Sequence, residues 1–126
     1  MNRQIPFDFI FDYLLPIETT VKPFFGMFAI YSGEKLLLIL RERDDQPELN
    51  GIWIATARGG QESLKKVLPS LRAVSGPKTK DPETGWQMIS ATADDFEETA
   101  IRVCEMIVSR DPRIGKIPPL KRKTGK

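Results

Sequence analysis

The sequence predicts an α+β domain: an antiparallel sheet with one helix before it and closing helices after it. Three observations point there. The most concentrated apolar mass, VKPFFGMFAIYSGEKLLLIL from Val21 to Leu40, holds two strand-length runs around a glycine turn. Helical periodicity appears at both ends of the chain, before that block and again near the C-terminus. Between them lie short apolar runs separated by glycine, proline and aspartate, the spacing of strands joined by turns.

Taken in order, Pro6 and Pro16 bracket the first helix, one suited to a first turn and the other ending the helix. Phe7, Ile10, Phe11 and Leu14 fall on one face, while Phe9 and Tyr13 point away from it. A helix apolar on both sides needs two partners, which makes Phe9 and Tyr13 a candidate interface with a second copy. A hairpin follows, with strands over Thr20 to Ser32 and Lys35 to Arg43 joined at Gly33. Phe24, Phe28 and Ile30 face one way in it, and Phe25, Met27, Ala29 and Tyr31 the other. Leu36 to Leu40 has no polar face, as expected of a central strand covered on both sides. Gly26 falls within the first run, where a bulge or close backbone approach is the usual reason. A polar connection, RERDDQPELN, leads to a short strand over Gly51 to Ala57. Leu64, Val67, Leu68 and Leu71 then suggest a helix disturbed by Pro69. After a turn-rich loop, Trp86 to Ala91 reads as a strand. Thr92 to Arg110 is the clearest helix, with Phe96, Ala100, Val103, Cys104, Ile107 and Val108 on its apolar face.

The 126 residues suffice for one domain with a sizeable core. The formal net charge of +2 is unevenly placed. Arg113, Lys116, Lys121, Arg122, Lys123 and Lys126 follow position 112 without an acid among them, and subtracting these six leaves residues 1–112 at −4. The expected organisation is a folded domain over 1–112 and a basic, extended tail over 113–126. No apolar run is long enough to span a bilayer, and the acids at Asp8 and Asp12 break any signal-peptide core, so no membrane association and a cytoplasmic address are expected.

Catalytic options are few. No histidine occurs, which removes histidine bases, serine and cysteine triads and histidine-ligated metals. The single cysteine, Cys104, lies on the apolar face of a helix, where a thiol is inert. Asp94, Asp95, Glu97 and Glu98 suit the first turn of the last helix, with Thr92 or Asp94 as its cap. Asp44, Asp45, Glu48 and Asn50 lack the order of a calcium loop and read as a solvated connection. No catalytic group, metal or cofactor is assigned, and the expectation is a domain without enzymatic activity. Two binding candidates remain. Arg58, Gly59, Gly60 and Gln61 form a strand-to-helix turn that could hold a small anion. Arg113, Lys116, Lys121, Arg122 and Lys123 could contact nucleic acid or an acidic partner.

The stretch Val21 to Leu40 resembles the signature of the TfoX N-terminal domain, with Phe25, Gly26, Met27 and Phe28 in place of its Met-Phe-Gly-Gly run and Gly33 at the turn. The later part, with Leu68-Pro69, Trp86 and the helix over Thr92 to Arg110, is similar to the second half of MmcQ/YjbR-like domains. Together these cover about residues 5–112. The resemblance implies a secretion-chaperone-like architecture and a small regulatory or protein-interaction role without established catalysis. It also implies nucleic acid as an alternative partner, which the acidic body disfavours.

Overall fold

The computed structural model describes residues 5–56, 61–74 and 86–116. They form an α+β fold around a six-stranded, fully antiparallel sheet in the order β1-β2-β3-β4-β6-β5. The strands are β1 (Thr20–Phe24), β2 (Met27–Ser32), β3 (Lys35–Arg41), β4 (Gly51–Ile54), β5 (Arg72–Val74) and β6 (Trp86–Ser90). The helices are α1 (Ile10–Leu14), α2 (Gln61–Val67) and α3 (Phe96–Val108).

Strand alternation builds two cores. Ile30, Leu38, Leu40, Ile52, Ile54 and Ile89 meet α1, α2 and α3 through Ile10, Leu14, Leu64, Val103 and Ile107. The opposite face gathers Ala29, Ile39, Trp53 and Met88, with Met27, Tyr31, Leu49 and Trp86 half-buried around them. The register shifts at Ile30/Tyr31, where Leu38 and Leu36 are the successive partners. Leu37 is therefore the extra residue of a bulge, and it joins Leu38 on the helical side. All of Leu36 to Leu40 is buried, the two-sided cover its lack of a polar face predicts.

The expected first strand, Thr20 to Ser32, is in fact two. Phe25 and Gly26 have φ of 51° and 78° and turn the chain back, so that Phe24 pairs with Met27. Two residues of positive φ between antiparallel strands make a tight hairpin whose twist matches theirs. Gly26 therefore serves a turn and not a bulge, and the close approach expected there is present: a Cβ would lie 1.8 Å from Arg43 Nη1. A second glycine is dictated by packing: at Gly51, φ is 147° and a Cβ would lie 2.0 Å from the carbonyl oxygen of Ile89. Glycine lets β4 approach β6 there.

Helix boundaries shift for identifiable reasons. The first helix starts only at Ile10, because Phe7 takes φ of 56° and cannot continue a right-handed turn. Its ring instead lies 5.1 Å from that of Phe96. α2 stops at Val67, ahead of Pro69, and Leu71 leads into the edge strand β5 instead of another helical turn. α3 begins at Phe96 rather than Thr92. Neither Thr92 nor Asp94 caps it. Asp95 holds that position, and its carboxylate accepts from the Ser70 hydroxyl and, at 3.1 Å, from Thr99 Oγ1.

The chain beyond position 112 does not leave the fold at once. Lys116 exchanges backbone hydrogen bonds with Leu36 (2.8 and 2.9 Å), and Gly115 N donates to the Ala55 carbonyl at 2.6 Å. Ile114, 1% exposed, enters the helical core. Ile114 to Lys116 thus fasten where β3 and β4 diverge, so these three residues belong with the folded domain and not with the tail expected from position 113.

Candidate functional site

At one end of the sheet the β1–β2 turn and the β3–β4 connection converge, and an arginine organises them. β3 carries Arg41 to the end of a buried strand, where its side chain is only 5% exposed. A guanidinium held out of water must find acceptors for its donors. Arg41 Nη1 donates to the Gln46 carbonyl (2.9 Å) and to Asn50 Oδ1 (2.7 Å), and Nη2 donates to the Asp45 carbonyl (2.9 Å). These bonds wrap the loop around the strand end, with Gln46 in the left-handed region at φ of 49°. Asn50 completes the clasp: its Oδ1 also accepts from Arg43 N, and its Nδ2 donates to the Arg43 carbonyl, both at 2.9 Å.

Arg43 then reaches across to the hairpin. Its Nη1 donates to the Phe25 carbonyl at 3.0 Å, and its Nε donates to Asp45 Oδ1 at 2.8 Å. That hydrogen bond holds the Asp45 carboxyl below the usual carboxylate range. Phe25 is consequently fixed while 78% exposed, with its ring edge-on to Phe24 at 4.8 Å. Behind it opens a groove of about 350 Å³, walled by Phe25, Met27, Leu49 and Trp53 and bordered by Arg41, Arg43 and Asp45. Trp53 is oriented by its Nε1 donating to the Leu49 carbonyl at 3.0 Å. A larger hollow, about 460 Å³, lies between the end of α2 and α3. Its most sheltered acid, Asp95, is already satisfied by Ser70 and Thr99, and Glu98, Arg102 and Glu105 are solvated helix surface.

The residues marked in the sequence are scattered. Arg58, Gly59 and Gly60 lie outside the described residues; Gln61 is the first residue of α2. Lys121, Arg122 and Lys123 also lie outside them. Arg113 belongs to the folded body, bound to Asp111 at 2.5 Å and to Ser63 Oγ at 2.9 Å. Lys116 places its ammonium 5.1 Å from the centroid of Trp86. Phe9 does not face outward: it is half-buried, 6.2 Å from Phe96 in an edge-on pair, so only Tyr13 of the expected interface pair is exposed. Cys104 is buried, with Sγ 3.8 Å from the Ile10 carbonyl, and burial pushes its thiol up to about 12. Among the described residues there is no group of three potential metal ligands and no helix long and apolar enough to cross a membrane.

The arginine clasp went unread in the sequence because RERDD carries the composition of a solvated loop. The available signal was position: Arg41 directly continues a strand with no polar face. Comparison of the chain with protein-family models, with curated proteins and with solved structures finds no match.

Proposed function

We propose that this chain is a non-catalytic interaction domain of the TfoX/MmcQ-YjbR-like, secretion-chaperone-like kind, and that it binds another polypeptide at the β1–β2 turn. The carrying observation is Phe25. An aromatic residue left 78% exposed gains little from burial in the free chain, yet its carbonyl is held by Arg43, which Asp45 and Asn50 hold in turn. Rigid, exposed aromatics beside a groove are what protein partners use as anchors. Two further features support the reading. Pro23 and Lys22 on edge strand β1 disfavour strand addition, leaving the tip as the more accessible contact. The thiol of Cys104, raised and buried, offers no nucleophile. A nucleic-acid role is less favoured, because Arg113 is ion-paired to Asp111 and the body carries net negative charge.

The test is site-specific photocrosslinking in living cells. A benzophenone side chain at position 25 should give a discrete protein adduct that the same probe at position 34, in the exposed turn after β2, does not give. Equal adducts from both positions, or none from position 25, would remove the hairpin tip as a docking surface. A second copy of this chain is one admissible partner and would appear as an adduct of twice the mass.

A further inference from the structure

We infer that the groove behind Phe25 takes a partner segment in which a carboxylate side chain stands beside a bulky apolar one; this rests on the docking role proposed for the hairpin tip. The charges bordering the groove do not cancel. Arg41 and Arg43 face a single carboxylate, Asp45, whose side chain is 58% exposed. Arg41 spends its donors on its own loop. Arg43 does not: Nε and one Nη1 hydrogen are used, its side chain is 38% exposed, and no acceptor among the described residues meets its Nη2. A guanidinium already oriented by two bonds, with an edge left open, is preorganised for a carboxylate.

The rest of the groove selects what carries that carboxylate. Met27, Leu49, Trp53 and the inner side of Phe25 give a small free anion nothing to bind, and a volume of about 350 Å³ admits an apolar side chain with its acidic neighbour. Methionine adapts its shape to such a guest, while Trp53 and Phe25 supply rigid walls. The opening lies between two loops on the outside of the fold, where a passing peptide backbone can run. The occupant that satisfies both the charge and the walls is therefore an acidic-apolar peptide segment.

The experiment titrates two capped pentapeptides into the isotope-labelled full chain, followed by amide NMR shifts. One has a glutamate between leucine and phenylalanine; the other replaces that glutamate by glutamine. The acidic peptide should move the amides of Phe25 to Met27 and Leu49 to Trp53, and should bind about tenfold or more tightly than its neutral isostere at low salt. Arg43→Gln should erase that preference and Arg43→Lys should retain part of it, with thermal melting confirming that both variants fold. Equal binding of the two peptides in the groove overturns the carboxylate assignment while leaving the docking surface intact. Absence of shifts, shifts elsewhere, or shifts of the same amides with protein concentration alone also overturn it. The last would mean that a second copy fills the groove, and position-25 crosslinking separates that case from failure of the docking role itself.

Discussion

Arg41 shows how much one side chain can decide. Among the described residues it is the one charged side chain that is buried, at 4% exposure, and it holds three acceptors of the loop that positions Arg43 and Phe25. Its nearest counter-charge, Asp45 at 3.6 Å, is mostly solvated, so the carbonyls and Asn50 carry the compensation. Arg41→Met keeps the stem packed but strands those acceptors. We expect it to lower stability by about 3 kcal/mol, from acceptors left without donors in a part-buried site. Urea unfolding measures this, and a loss within error of zero would mean that water replaces the guanidinium freely. The same variant should free Phe25, so its amide should exchange faster than in the parent. Composition does not separate Arg41 from Arg43; only its place directly after the apolar run Leu36 to Leu40 does. Burial decided between them, and burial depends on strands that pair from elsewhere in the chain.

Elements were legible where a pattern repeats and illegible where a single residue breaks it. The apolar stripe of α3 follows from helical periodicity and the two-sided burial of Leu36 to Leu40 from its unbroken apolar run, and both are buried as those patterns require. The turn at Phe25-Gly26 was hidden, because a phenylalanine at positive φ is rare and the apolar run continues through it. The edge strand β5 was masked by leucines that also fit a helix, until Pro69 ends it. The least visible element is Ile114 to Lys116, which lacks any period and is too short to signal a strand. Its importance is open to measurement. Ile114 is 1% exposed and belongs to the helical core, so Ile114→Ala should cost about 2–4 kcal/mol. A chain ending at Pro112 should lose at least as much, since it also forfeits the bonds to Leu36 and Ala55. Guanidinium unfolding of both would decide; a truncated chain as stable as the parent would show that the sheet closes without this segment.

For the whole molecule, the sheet is a divider. One face is sealed by three helices, and the other gathers the tryptophans and leads to the groove. Three aspartates tie the periphery to this frame, and each is held below the usual carboxylate range by a side-chain hydrogen bond. Asp45 is held by Arg43, Asp95 by Ser70, and Asp111 by Arg113. A carboxylate whose folded pKa lies below its unfolded value contributes stability that is fully present above the unfolded value, near pH 4, and is lost as pH falls through the folded one. The unfolded chain binds those protons first, so stability must drop with acid in that window. Urea midpoints taken from pH 7 down to about pH 2.5 should therefore hold level and then fall below about pH 4. In the triple variant Asp45→Asn, Asp95→Asn, Asp111→Asn the neutral midpoint should already be lower and the acid limb shallower, because the titrating groups are gone. An acid limb as steep as the parent's would assign the loss to other carboxylates. The three contacts would then be geometry without linkage, and the loop that carries Phe25 should keep its hold in acid.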